Sequence, residues 1–220
     1  MRAGDDDRMS RTNAAQKDLI FAALSAERYA EARRLAVAAM RRGTADDMIR
    51  YLHTYAVERM GDLPRALREA ADYLAAGRTE MRREYLRLRA AVAYRIGEPQ
   101  AAAFYCDAYR EEPADVGLYS SFLLAQNARE VDEGELFADH CTYGALFADV
   151  PQHTFPSPRR HEKIRVGYIS PDFRRNVMQN FIQPLLTAYD HAGFEVYVYS
   201  TATEPDDVTE ALRSYADVWR

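Results

Sequence analysis

The stretch Lys163 to Ser200, KIRVGYISPDFRRNVMQNFIQPLLTAYDHAGFEVYVYS, constrains this chain more than any other. Ile164 to Ile169 is a β-rich run that stops at the turn Ser170-Pro171-Asp172. From Asn176 to Tyr189 the apolar residues Val177, Met178, Phe181, Ile182, Leu185 and Leu186 fall near helical spacing, which predicts a helix. Glu195 to Tyr199 is a second β-rich run. Two strands separated by a helix in about forty residues have the size of a parallel βαβ unit, since parallel neighbours need a long crossover. Sheets of this kind bind ligands beyond the carboxyl ends of their strands. The turn 170–176 is therefore where chemistry is expected.

Ahead of this unit the chain reads as helical. The start MRAGDDDRMS is acidic and lacks an apolar core, so residues 1–12 are expected to be disordered and are not a secretory leader. Residues 13–115 are rich in Ala, Leu, Arg and Glu, which favour helices. Three short segments align: Glu27 to Ala32, Gly61 to Ala66 and Gly97 to Ala102. Their starting positions 27, 61 and 97 are offset by 34 and 36, close to the ~34-residue tetratricopeptide period. Helix pairs follow at about 13–25 with 30–41, 46–60 with 63–76, and 80–96 with 99–110. Pro64 and Pro99 are placed near the first turn of a helix, where a missing N–H costs little. Ala32, Ala66 and Ala102 suit close helix contacts. The pattern resembles the tetratricopeptide repeats; a generic helical bundle is the alternative. Tyr51, Tyr55, Tyr73, Tyr85 and Tyr94 are expected to pack between hairpins, and Arg82, Arg83, Arg87 and Arg89 to form a solvated face, with an acidic-peptide groove as the alternative.

Residues 116–162 read as a connector. A helix is expected from Leu118 to Asn127 and a second from Glu133 to Phe147, capped by Asp132. A proline-rich linker follows, with Pro151, Pro156 and Pro158. His140, Cys141, His153 and His161 match no common metal spacing, so no metal is expected. Cys106 and Cys141 read as two buried thiols of a reducing compartment.

With 29 basic and 34 acidic residues interleaved, the net charge is -5 and no basic stripe with aromatics exists, which argues against a nucleic-acid partner. No run approaches the ~18 apolar residues of a membrane span. A cytoplasmic protein with no membrane partner is expected. Nothing in the sequence bears on the oligomeric state.

The turn after the first strand lacks a Gly-x-Gly-x-x-Gly fingerprint, and no P-loop is present. It offers Ser170, Asp172, Arg174, Arg175 and Asn176 ahead of a helix. Ser170 or Asp172 can cap that helix. The arginines can pair with phosphate at a helix N-terminus or serve as surface charges.

RVGYISPDF at 165–173, FEVYVYS at 194–200, YADVWR at 215–220 and, in the connector, YSSFLLAQN and ELFADH together resemble the bacterial SPINDLY-like protein O-linked N-acetylglucosamine transferases. Tetratricopeptide repeats feeding such a domain are that family's layout. The resemblance implies a mostly α chain: an α-solenoid, then the start of a Rossmann-like α/β domain of the GT-B type. Residues 163–220 would be its truncated N-terminal part. It implies transfer of N-acetylglucosamine from UDP to Ser or Thr hydroxyls, with UDP-N-acetylglucosamine as donor, no required cofactor, and an acceptor polypeptide on the repeat groove. It makes Ser170, Asp172, Arg174 and Arg175 candidate substrate-binding residues. The family histidine of the DFxxH pattern falls at Asn176, the catalytic position, and an amide cannot act as a base near neutral pH. The chain alone is thus expected to be incomplete and inactive. The alternative is a repeat-based interaction scaffold with a degenerate transferase remnant.

Overall fold

A computed structural model describes residues 3–151, 154 and 161–220, with side chains from residue 13 onward. The prolines Pro156 and Pro158 and the histidine His153 lie outside the described residues. The chain divides into two compact units, Met1–Pro151 and Gln152–Arg220.

Among the described residues the first unit has eight helices: α1 Ala3–Ser25, α2 Tyr29–Arg41, α3 Asp47–Arg59, α4 Leu63–Ala75, α5 Arg82–Arg95, α6 Ala101–Glu111, α7 Val116–Gln126 and α8 Glu133–Ala145. Each packs chiefly on its neighbours in sequence, as helical hairpins in a stack do. α1 begins at Ala3, ahead of the start near Asn13 read from the sequence, because a helix already nucleated extends at little cost. Pro64 occupies the first turn of α4, but Pro99 sits in the turn before α6. Asp46, Asp62, Asp115 and Asp132 accept backbone N–H groups as N-caps.

The helix ends share one device. Gly43, Gly61, Gly77 and Gly97 each sit two residues past a helix with φ between 67° and 87°. At Gly61, the Gly61 N–H donates to Glu58 O and the Asp62 N–H to Val57 O, satisfying carbonyls the helix leaves open. After α1 the same bonds form around Glu27, at φ 55°, where no glycine is present.

Small side chains let the helices approach. Ala32, Ala66 and Ala102 are fully buried, and Ala36, Ala39, Ala56 and Ala70 join them. Ile20, Ile49 and Leu52 fill the first hairpin interface. Tyr73 and Tyr85 stack at 3.9 Å, with Tyr51 edge-on to Tyr85 at 5.5 Å. Burial, then nearby carboxylates and neighbouring tyrosines, pushes Tyr51 up to about 12. Tyr94, by contrast, is exposed. The arginine face of α5 is not simply solvated. Arg82 pairs with Glu111, Arg87 with Glu112 and Asp115, and Arg89 with Asp107, tying α5 to α6 and the turn after it. Cys106 is half-buried and Cys141 is exposed on α8, a helix with no buried residue, so the expectation of two buried thiols fails.

The second unit holds a parallel sheet in the order β1 Ile164–Ser170, β2 Phe194–Ser200, β3 Val218–Trp219, with α9 Gln179–Thr187 and α10 Asp207–Arg213. Register runs from Ile164 opposite Phe194 to Ser170 opposite Ser200. The two strands and two helices read from the sequence thus gain a third strand. α9 is shorter than the 176–189 span expected. Asn176 turns the chain before it, and Pro184 lies inside it, removing one helical donor. Phe173, Ile182, Leu186, Val196, Val198, Val208 and Leu212 form the core. Asp217 fixes the lead into β3: Val196 N–H and the Tyr189 hydroxyl both donate to its Oδ2 at 2.7 Å. Those bonds hold its carboxyl below the usual range, whereas burial first and Asp217 second push Tyr189 up to about 12.

No helix among the described residues is long and apolar enough to cross a membrane.

Candidate functional site

The candidate site is the carboxyl edge of the parallel sheet. Here β1 and β2 end side by side at Ser170 and Ser200, and the Thr201 N–H donates to Ser170 O at 3.1 Å. Beyond β1 the chain doubles back in a tight, side-chain-bonded turn. The Asp172 N–H donates to Ser170 Oγ at 3.0 Å, and the Arg174 N–H to Asp172 O at 2.7 Å. The turn is anchored by Phe173, which is 3% exposed and lies 5.7 Å, ring to ring, from Trp219. The buried hydroxyl of Thr209 donates to Phe173 O at 2.7 Å.

Asn176 stands on this turn with its amide fully engaged. Its Nδ2 donates to Asp172 Oδ1 at 3.1 Å, and its Oδ1 accepts the Met178 N–H at 2.8 Å. An amide so placed orders the turn ahead of α9, and it cannot take up a proton at neutral pH.

Ser170, Asp172 and Asn176 are therefore one hydrogen-bonded set. Arg174 and Arg175 are both exposed, but they diverge in role. The Arg175 N–H donates to Asp206 Oδ2 at 2.8 Å and its guanidinium to Asp207 Oδ2 at 2.5 Å, so it is committed to the start of α10. The Arg175 and Thr209 backbone bonds hold the Asp206 carboxyl below its ordinary range, and Asp207 raises Arg175. Arg174 has only its backbone bond among the described residues. Asp172, Asp206 and Asp207 outnumber the two arginines. The turn by itself thus does not present the net positive field that a diphosphate needs.

Sequence reasoning missed the residues that brace the turn: Asp206, Asp207, Thr209 and Trp219. Asp206 and Thr209 form a capping box at the head of α10, and that spacing, Asp-x-x-Thr, was a signal available in the sequence. Ser200 and Arg220 also join the edge, the Ser200 N–H donating to Arg220 O at 2.9 Å. Among the described residues no group of three or more His, Cys, Asp or Glu side chains could hold a metal.

No family model matches the chain. It is 36% identical over 99 residues to the probable UDP-N-acetylglucosamine–peptide N-acetylglucosaminyltransferase SPINDLY of Arabidopsis thaliana, across 41% of this chain and 10% of that protein. The protein of the same name from Oryza sativa subsp. japonica is 32% identical over 93 residues, across 40% of this chain and 10% of its own length. The alignments thus span a tenth of these curated relatives. Among solved structures, a mutant of the Thermobaculum terrenum O-GlcNAc transferase matches with a TM-score of 0.66 at 20% identity, covering 97% of this chain and 42% of that one. The second likeness shows the fold: a mostly helical stack leading into a parallel α/β unit. On sequence, about two fifths of the chain is similar to a short stretch of the plant SPINDLY proteins.

Proposed function

We propose that this chain supplies the acceptor-holding repeats and the opening strands of the catalytic region of a protein O-linked N-acetylglucosamine transferase. In this reading UDP-N-acetylglucosamine is the donor, a Ser or Thr hydroxyl of a polypeptide is the acceptor, and no metal or other cofactor is used. The observation that carries it is the 36% identity to the Arabidopsis SPINDLY protein. The edge at Ser170 and Ser200 supports it, because ligands of parallel α/β sheets sit beyond the carboxyl ends of the strands. In that position Ser170 and Asp172 offer hydrogen bonds to a sugar nucleotide, and Arg174 offers a charge. Transfer would rest on positioning the hydroxyl and stabilising charge on the leaving diphosphate. Two free cysteines suit the cytoplasm as the setting.

A second reading is favoured by one specific observation. Asn176 spends both ends of its amide on the turn, and Arg175 is tied to Asp206 and Asp207, so the turn is built as structure. The chain would then be an interaction scaffold with a silent remnant. Incubating the intact gene product with radiolabelled UDP-N-acetylglucosamine and a Ser/Thr-rich polypeptide separates the two. Label on hydroxyl side chains is expected; bound but unlabelled polypeptide would leave the scaffold reading standing.

A further inference from the structure

Arginines gather on one side of the helical unit without a matching set of acids. The α2 residues Arg33, Arg34, Val37 and Arg41 recur at helical spacing and line a cavity of about 600 Å³. Val37 also lines the next cavity, of about 440 Å³, which is walled by α4 and floored by Arg50, His53 and Thr54 of α3. The two cavities meet at Val37, and together their linings carry Arg33, Arg34, Arg41, Arg50, Arg65 and Arg78 against the carboxylates Glu69 and Asp72. Much of the negative charge is already used. Glu69 accepts from His53 at 3.1 Å, Arg65 at 2.8 Å and Thr54 at 3.0 Å, and Arg78 is held by Asp47 at 2.6 Å. Among the described residues Arg34, Arg41 and Arg50 have no carboxylate partner.

The groove floor carries the second observation. His53 is 5% exposed, with Nδ1 on Glu69, and its Nε2 is buried with no hydrogen-bond partner. The Nε atoms of Arg33 and Arg50 are buried without partners as well. Native interiors seldom leave polar nitrogens unpaired. Three of the six such atoms among the described residues gather at these arginine-rich cavities, where a ligand bringing acceptor oxygens would meet donors.

We propose that the groove between α2, α3 and α4 holds an acidic segment of a partner polypeptide, with Asp or Glu side chains seated against Arg34, Arg41 and Arg50. Guanidinium forks match carboxylates two bonds at a time, which fixes register as well as charge. A polypeptide fits better than a nucleic acid: Glu69 and Asp72 interrupt the groove, and a phosphodiester chain would meet them at every pass. The α5 arginines, already paired with α6 and its turn, do not compete for this role. The proposal deepens the reading of the repeats as the acceptor-holding part and rests on it for the class of partner.

Fluorescence anisotropy with the full chain and a labelled peptide of alternating Glu and Ser tests it. Binding is expected, weakening with salt and falling about tenfold in the double variant Arg34→Glu, Arg41→Glu. Both side chains are exposed, so the circular-dichroism melt should not move. Should that variant unfold, the pair Arg34→Gln, Arg41→Gln takes its place. Equal binding of a Gln–Ser peptide, unchanged affinity in the folded variant, or tighter binding of a single-stranded oligonucleotide each overturns the proposal. No sugar nucleotide enters the assay, so a failure of the transferase reading does not alter the result. Glycosyl transfer retained without acidic selectivity would sink the groove alone.

Discussion

Nδ1 of His53 lies 3.1 Å from Oε2 of Glu69, across the interface between α3 and α4. Burial acts to raise the Glu69 carboxyl, but the bonds from His53, Arg65 and Thr54 outweigh it and hold the group at about 2, against an ordinary 4.5. A carboxyl lowered in the folded state stabilises fully above its unfolded value, and that contribution is lost as pH falls toward 2. Urea denaturation at pH 6 should find Glu69→Gln less stable by about 2 kcal/mol, after allowing for partial exposure. At pH 2.5 the gap between variant and parent should largely close. A gap that is constant with pH would remove the charge from the explanation.

Glu27 adopts φ 55° where four other helix ends use glycine. Left-handed backbone costs an L-residue roughly 1–2 kcal/mol, part of which glycine returns as unfolded-state entropy. Glu27→Gly should therefore stabilise the chain by about 0.5–1 kcal/mol. Gly97→Ala, at φ 75°, should destabilise it by about 1 kcal/mol. Thermal melts of the two variants should move in opposite directions.

Trp219 is the only tryptophan in the chain and contacts Phe173 at the root of the candidate turn, so its fluorescence reports that turn alone. Asn176→Ala removes an acceptor from the Met178 N–H and a donor from Asp172. It should lower the midpoint of the tryptophan transition, at a cost of about 1 kcal/mol. The far-ultraviolet melt, dominated by the helical unit, should change little.

Calorimetric titration with UDP should give no saturable heat on this chain, given the three carboxylates around the turn and the engagement of Arg175. Double removal of the opposing charge, Asp206→Asn with Asp207→Asn, should allow weak, salt-sensitive binding. Saturable UDP binding by the unaltered chain would show that the edge is a better anion site than its charges imply.

The helices were legible in the sequence because their ends are chemically marked. Gly61 and Gly97 each stop a helix, Asp62 with Pro64 starts α4, and Ala32, Ala66 and Ala102 repeat at the contacts. β1 and β2 were legible from their β-branched and aromatic runs. β3 was not: two residues, Val218 and Trp219, carry no periodicity, and only pairing with Tyr197 and Val198 makes them a strand. The candidate site was half legible. The turn residues were found by their place after β1, but their partners Asp206, Asp207 and Thr209 lie thirty or more residues onward, where only tertiary packing brings them back. The groove at His53 escaped for the same reason, since its walls come from three helices.

The glycine-ended helices have a consequence for how such a chain can change length. Gly61 and Gly97 close equivalent helices with the same pair of bonds, to Glu58 and Val57 in one case and to Tyr94 and Ala93 in the other. Joining Gly61 directly to Glu98 would delete one whole hairpin and recreate an equivalent junction, with Ala102 taking the place of Ala66. Each neighbour interface is a separable unit of cohesion in such a stack. A genetic duplication or loss of one hairpin would thus be absorbed as a change in reach along the array, leaving every remaining joint with the geometry it had.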